Sequence, residues 1–573
     1  MTIEPSPHVI AVTDVTFRHA STGTRALDGV TLSIRRGEFV AVLGAAGAGV
    51  STFLQALDGV VPQLLTGEMS GTIRVTGLDP GTTPVRRMAP HVGLVLDDPG
   101  LATVQTTVAE EVAFGLENLA VPRSAMGPRL GAALAAVGLA GFEARSSMTL
   151  SGGEQQRLAI ASVLVMGTDV LVLDEPTANL DPAGRRAVFG VLRRLNREQG
   201  VTIVIGDRDV EAVAGDATRV IVLAQGRVVA DGDPATVLAD VAAMARNGVR
   251  VPQVTEVAAR IGVPAPVPLT IEAAVGRMEA DARGEIVRPT KRPIRETEPV
   301  IVARDVVFRY PGMAVAAVAA VSLTVRPGEI VGVAGANGGG KSTLARLLQG
   351  LLKPQAGSVV VDGRDTRTIA VRALAQHVGS VFQDASHQLF ASTVADELAL
   401  GPRAIGLSDA VVAERVRDVV AELGLGDDLA RHPFRLPSAR RKLVALGAIL
   451  AMRPPVLLLD EPTTGHDPAL AALVAGRIRV AAEDGAAVVV LSHDMAFLAE
   501  LADRVVVMAA GSVLADATPR EVFADAVLLR RAGLEAPQVT SLAAALASDG
   551  HEPWPPITID EAVRVLRARE GTR

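Results

Sequence analysis

The sequence is written twice, and a chain that repeats at this period must fold as two related domains. Gly44-Ala-Ala-Gly-Ala-Gly-Val-Ser-Thr52 returns 291 residues later as Gly335-Ala-Asn-Gly-Gly-Gly-Lys-Ser-Thr343. Val170-Leu-Val-Leu-Asp-Glu-Pro-Thr177 returns after 286 residues as Val456-Leu-Leu-Leu-Asp-Glu-Pro-Thr463, and Pro252-Gln-Val-Thr255 after 285 as Pro537-Gln-Val-Thr540. So long a period with so little drift is a tandem duplication of a whole domain with a C-terminal appendix, not a short-repeat solenoid. It assigns a first domain to residues 8–247, its appendix and a linker to 248–299, a second domain to 300–532 and a second appendix to 533–573. Pro and mixed charge over Arg288–Pro299 predict a loose linker, and Pro264–Pro268 predicts a surface loop inside the first appendix.

Each copy opens with two strand patterns, Val9–Phe17 and Gly29–Ile34 in the first and Val300–Phe308 and Ala320–Val325 in the second. A glycine-rich loop and a helix follow, and then strands and helices alternate. The pattern predicts α/β domains with a mainly parallel sheet and an antiparallel strand layer. Composition narrows the function. The chain has no cysteine, which excludes disulfides, thiolate metal sites and cysteine nucleophiles and suits a reducing compartment. A net charge of −7 lacks the basic footprint of a nucleic-acid binder. Hydrophobic residues reach 49%, yet no uninterrupted apolar run attains the ~18 residues of a membrane span, and Met1–Pro7 carries no secretion-signal pattern.

The second copy carries a complete set of phosphate-handling residues. Its loop, Gly335, Ala336, Asn337, Gly338, Gly339 and Gly340, follows the strand Ile330–Ala334 and precedes Lys341, Ser342 and Thr343. Glycines let the backbone wrap a triphosphate and aim N–H groups at it, Lys341 reaches the β- and γ-phosphates, and Ser342 binds Mg²⁺. Asp460, ending an apolar strand, would hold Mg²⁺ through water, and Glu461 would polarise an attacking water. The first copy keeps Gly44, Gly47, Gly49, Ser51, Thr52, Asp174 and Glu175, but Val50 stands where the lysine belongs.

The order of glycine-rich loop, Gln383, a signature segment, Asp460-Glu461 and His493 resembles the ATP-binding cassette (ABC) family, and the resemblance covers nearly the whole chain twice. It implies P-loop domains with a helical subdomain. It also implies roles: Gln383 senses Mg²⁺ and the transmembrane partner, His493 contacts the γ-phosphate, and Tyr310, the one tyrosine in the chain, stacks on adenine. The first copy departs from the pattern, with Asp97 at the glutamine position, Arg208 at the histidine position and His19 at the aromatic position. Yet it holds an intact signature, Leu150-Ser151-Gly152-Gly153-Glu154-Gln-Gln-Arg157, where the second copy has Leu436-Pro437-Ser438-Ala439-Arg-Arg-Lys-Leu443. The proline removes an N–H, and the loss of glycine hinders close approach to phosphate. Domains of this family pair head to tail, so the two cassettes of this chain are expected to pair with each other. The losses then sort: one composite site unites Lys341, Gln383, Glu461 and His493 with Ser151, Gly152 and Gly153, and the other unites Val50, Asp97 and Arg208 with the Pro437 signature. Random decay would not sort in this way, and an inert scaffold would not keep Ser151–Gly153.

Val381-Phe-Gln-Asp-Ala-Ser-His-Gln-Leu-Phe-Ala-Ser-Thr-Val-Ala-Asp-Glu397 is similar to the energy-coupling-factor (cobalt/biotin-type) ATPases, with Ala385 where that group usually has proline. The first copy keeps Thr107-Val-Ala-Glu-Glu111, and the repeated appendix fits the same group. The resemblance implies an ATP- and Mg²⁺-dependent motor at the cytoplasmic face of a membrane, importing a vitamin or transition-metal ion. Its partners would be a transmembrane coupling protein and a small substrate-binding membrane protein. A tandem sugar-importer ATPase and a regulatory ATPase without a membrane partner are the alternatives. Asp97, Asp98 and Asp384 would set carboxylates beside the clefts that receive basic coupling helices.

Overall fold

A computed structural model describes residues 8–20, 23–96, 103–178, 180–280, 297–547 and 555–568. The expected linker lies outside the described residues up to 296, as do Asp97 and Asp98. The chain divides into two compact units, Met1–Arg277 and Met278–Arg573.

The core of the first unit is a six-stranded sheet in the order Val92–Val95, Val170–Asp174, Thr202–Gly206, Phe39–Leu43, Arg219–Ala224, Arg227–Gly232. Its first five strands are parallel and the last is antiparallel. The central strands Phe39–Leu43, Val170–Asp174 and Thr202–Gly206 are buried at every residue, as expected of parallel strands covered on both faces. Arg25–Arg35, His8–His19 and Gly67–Val75 form the antiparallel layer. Along His8–His19 the inward residues Ile10, Val12, Val15 and Phe17 join one apolar cluster with Phe53, Leu54 and Leu57 of the helix Val50–Asp58. A second cluster unites the other face of the sheet with helices that include Val108–Asn118, Arg123–Ala136, Gly152–Leu164 and Pro182–Gln199.

The second unit repeats this plan. Its parallel strands run Val378–Val381, Val456–Asp460, Ala487–Leu491, Ile330–Ala334 and Arg504–Ala509, with Ser512–Ala517 antiparallel at the edge. Val318–Val325, Ile301–Phe308 and Ala356–Val361 make the antiparallel layer, with the short Arg364–Asp365 at its edge. Val394–Ala404, Asp409–Leu423 and Ser438–Leu450 are the counterparts of the helices Val108–Asn118, Arg123–Ala136 and Gly152–Leu164. Both fold class and strand positions agree with the sequence patterns.

The repeated Pro-Gln-Val-Thr has a structural purpose. Each motif starts an appendix helix, Gln253–Arg260 or Gln538–Leu546. The buried Thr255 hydroxyl donates to the Pro268 carbonyl at 2.7 Å, and Thr540 donates to Pro556 at 2.8 Å. The threonine thus ties the helix to the returning chain. The expected surface loop Pro264–Pro268 holds only in its first half, because Val267 and Pro268 are buried to meet that hydroxyl.

Candidate functional site

In the second unit the glycine-rich loop leaves the strand Ile330–Ala334 and enters the helix Lys341–Leu348. Gly340 has φ +100°, and a Cβ there would lie 2.4 Å from the Ala317 carbonyl oxygen, so only glycine fits the turn into the helix. The Lys341 ammonium donates to the carbonyls of Gly335 at 2.6 Å and Ala336 at 3.1 Å, within the loop whose backbone would receive phosphate. Ser342 Oγ donates to Asp460 Oδ2 at 3.1 Å. Burial, and then the charge of Glu461, push the Asp460 carboxyl above the usual carboxylate range. A hydroxyl beside a carboxylate that burial disfavours as an anion is a hard oxygen donor set of the kind Mg²⁺ satisfies. The residues present therefore fit a magnesium–triphosphate ligand.

Glu461 follows on the same turn in the left-handed region, at φ +49°. Its Oε1 accepts the His493 N–H at 2.9 Å and lies 2.6 Å from His493 Nδ1, while Oε2 accepts the Ser492 hydroxyl at 3.1 Å. Burial pushes this carboxyl up, but His493, Lys341 and Ser492 outweigh that and hold it below the usual range. Two adjacent carboxyls are thus driven in opposite directions, and the surroundings of Glu461 favour its ionised form. Tyr310 packs edge-on against Phe308, ring centroids 5.0 Å apart, with its hydroxyl 3.4 Å from Thr343 Oγ1. Gln383 stands exposed and makes no hydrogen bond to Ser342 or Asp460. Gln388 instead holds that segment, its Oε1 accepting the Phe382 N–H at 2.7 Å.

The first unit preserves part of this site and closes the rest. Ser51 Oγ donates to Asp174 Oδ1 at 3.1 Å, as Ser342 does to Asp460. His19 repeats the placement of Tyr310: its ring meets Phe17 edge-on at 4.9 Å, and Nε2 lies 3.4 Å from Thr52 Oγ1. Burial pushes the His19 pKa down, which favours the uncharged ring. Sequence reading treated His19 as a departure, although the shared Phe-Arg-aromatic spacing of Phe17–His19 and Phe308–Tyr310 carried the signal. Val50 is accommodated by Gly206, where a Cβ would come within 2.8 Å of the Val50 Cγ1. Arg208 forms an ion pair with Glu175 at 2.7 Å, at the position where the second unit sets His493 against Glu461. A permanent cation fixed on a carboxylate makes it a poor proton acceptor.

The two signature segments differ in kind. Ser151 caps the helix Gly152–Leu164 in a capping box: its Oγ accepts from the Glu154 N–H, and Glu154 Oε2 accepts the Ser151 N–H at 2.7 Å. Glu154 is thereby committed to the cap, and the N–H groups of Gly152 and Gly153 open the helix, where an anion is favoured. In the second unit Pro437 occupies the cap position of Ser438–Leu450, with no side-chain hydrogen bond.

Sequence reading missed exposed large apolar residues at equivalent positions of both units. Leu96, Val104, Phe114 and Met148 are exposed in the first, and Phe382, Phe390, Leu400 and Phe434 in the second; Met148 and Phe390 are each 76% exposed. The Thr-Val-x-x-Glu motif fixes two of them: buried Glu397 accepts the N–H groups of Phe390 and Ala391, both at 2.7 Å, and Glu111 does the same for Val104 and Gln105. Asp384, expected to face a basic partner, accepts the Ser386 N–H at 2.9 Å and caps its own turn.

Residues 27–178 and 318–464 match the family described as ABC transporter. A candidate ABC transporter ATP-binding protein of Caldanaerobacter subterraneus subsp. tengcongensis is 36% identical over 93% of this chain and 95% of its own length. A similarly described protein of Streptomyces coelicolor is 38% identical, covering 90% of this chain and 94% of the relative. Among solved structures, cbiO1 from Clostridium perfringens, titled part of the ABC transporter complex cbiONQ, is 32% identical over 44% of this chain and 98% of its own, with a TM-score of 0.38.

Proposed function

The chain belongs to the ABC transporter family, and we propose that it is the motor of an energy-coupling-factor-type importer in which the second cassette hydrolyses ATP and the first does not. ABC transporter ATP-binding proteins are ATPases coupled to transport, and this chain carries two such cassettes. The observation that carries the asymmetric reading is the contrast at the paired carboxylates, with Glu461 held by neutral-capable His493 and Glu175 locked by Arg208.

In this reading Lys341 and the loop N–H groups bind the β- and γ-phosphates, and Ser342 and Asp460 would hold Mg²⁺. The ion, when bound, supplies charge neutralisation to those phosphates. Glu461 accepts the proton of the attacking water while His493 and Ser492 fix its carboxylate. Ser151, Gly152 and Gly153 of the first cassette complete this site, as the family resemblance implies. Tyr310 is the adenine platform. Base–aromatic stacking is worth about 1–3 kcal/mol, so Tyr310→Ala is expected to weaken binding of a fluorescent ATP analogue roughly tenfold. An unchanged affinity would make Tyr310 a packing residue of the Phe308 cluster.

Among the described residues no helix is long and apolar enough to cross a membrane. We place the chain at the cytoplasmic face, with a transmembrane coupling protein and a small substrate-binding membrane protein as partners and a vitamin or transition-metal ion as cargo. The support is the Gln388-Leu-Phe390 segment and the exposed apolar residues each unit carries at equivalent positions. Exposed apolar residues of this kind suit the hydrophobic side of an amphipathic helix. Phe390→Asp with Phe434→Asp is therefore expected to release the membrane proteins on co-purification while basal ATP hydrolysis persists. Retention of those proteins by the double variant would argue against docking at this surface.

A further inference from the structure

The degenerate signature of the second cassette has not simply lost a function. Its helix, Ser438–Leu450, opens with no acidic residue in the first turn and carries Arg440, Arg441 and Lys442 in succession. Cations near a helix N-terminus are unfavourable, because the dipole there is already positive. Arg440 is accounted for by its ion pair with buried Asp428 and its bond to the Gly424 carbonyl at 2.8 Å. Lys442 is different: it is buried, and its Nζ donates to the backbone carbonyls of Glu461 at 3.3 Å and Thr464 at 3.0 Å. Two positions beyond Thr464 in the same loop, His466 Nε2 lies 3.2 Å from the carbonyl of Ala439, on the first turn of the same helix.

The first cassette has neither stitch. At the position of Lys442 stands Gln156, buried, its amide nitrogen without a partner among the described residues. At the position of His466 stands Leu180, which meets the helix by packing near Gly152. The side chains joining signature helix to carboxylate loop are thus polar in the cassette with the competent glutamate and apolar or unbonded in the other. Burying an ammonium is costly unless hydrogen bonds compensate it, and here the compensating acceptors belong to the loop that carries Glu461 in its left-handed conformation.

We propose that Lys442 is a positioning residue for Glu461, a strut recruited from the lost signature that fixes the backbone of the carboxylate loop to the helical subdomain. This rests on Glu461 being the proton acceptor of the second cassette. Lys442 acts through the backbone of the loop, bonding the carbonyls of Glu461 and Thr464, while the Glu461 side chain carries the carboxylate. Removing it should loosen the placement of Glu461 without altering the phosphate cradle at Lys341 and Ser342.

The test uses the full-length chain, with Lys442→Gln (the residue of the first cassette), Lys442→Met and Lys442→Arg. Misplacement of a catalytic group costs turnover rather than ground-state binding, so Gln and Met should each lower kcat about tenfold with KM for ATP nearly unchanged. Arg, whose guanidinium can reach both carbonyls, should recover most of that loss. Met leaves no polar atom to bury, which keeps the reading available should Gln impair folding. Unchanged kcat in Gln or Met overturns the inference, and so does a joint change in kcat and KM that Arg does not rescue. Glu461→Gln in parallel separates the premises. If it abolishes turnover while Lys442→Gln does not slow it, only the strut fails; if it leaves turnover intact, the assignment of Glu461 fails.

Discussion

Gly152→Asp in the full-length chain is expected to cut ATP turnover by about a hundredfold or more, the scale of removing a preorganised anion donor from a phosphoryl- or acyl-transfer site. Gly152 is the first residue of its helix, and its N–H opens toward the face where the helix dipole favours anions. If the Ser151–Gly153 segment meets the γ-phosphate, as the family resemblance implies, a carboxylate there would repel it. Ser438→Asp, at the same helix position of the second cassette, should change turnover less than about twofold, since an exposed acid at a helix start is neutral to mildly stabilising. Equal losses in the two variants would mean that both signatures serve catalysis. Equal indifference would mean that neither does.

Much of this was legible in the sequence because the relevant signals are local. The loop Gly335–Thr343, the buried strand ending in Asp460-Glu461 and the Ser151 capping box are contiguous segments, and each folds as its residues dictate. The duplication made the reading stronger, since each segment could be compared with its counterpart. What escaped was long-range side-chain contact. Arg208 was visible as a substituted histidine, but its ion pair with Glu175 joins residues from different strand ends. Val50 was visible as a lost lysine, but not that Gly206 makes room for it. Lys442 read as part of a broken motif, and only its contacts with Glu461 and Thr464 give it a role. The exposed apolar sets were hidden for a further reason. Phe390 and Phe434 sit in segments whose sequence patterns do not distinguish an inward aromatic from an outward one.

Preserved features of the first cassette also constrain what it does. His19 keeps the ring placement of Tyr310, and Ser51 keeps its bond to Asp174. Altered are the lysine, replaced by Val50, the glutamine, replaced by Asp97, and the partner of the glutamate, now Arg208. The first cassette therefore keeps the ring placement and the serine–aspartate pair of the second while departing from it at Val50 and at the Arg208–Glu175 pair.

The comparison of Glu461→Gln with Glu175→Gln tests the asymmetry most directly. Glutamine keeps the shape of the side chain and removes its capacity to accept a proton. General-base catalysis contributes about 10²–10⁴-fold, so Glu461→Gln should lower steady-state ATP turnover by at least a hundredfold while leaving binding of a fluorescent ATP analogue nearly intact. Glu175 is held by Arg208 at 2.7 Å beside a loop in which Val50 replaces the phosphate-binding lysine. Glu175→Gln should therefore leave turnover at about its original rate. The measurement is ATP hydrolysis by each full-length variant at saturating nucleotide. The account predicts an inactive Glu461→Gln and an active Glu175→Gln; comparable losses in the two would contradict it.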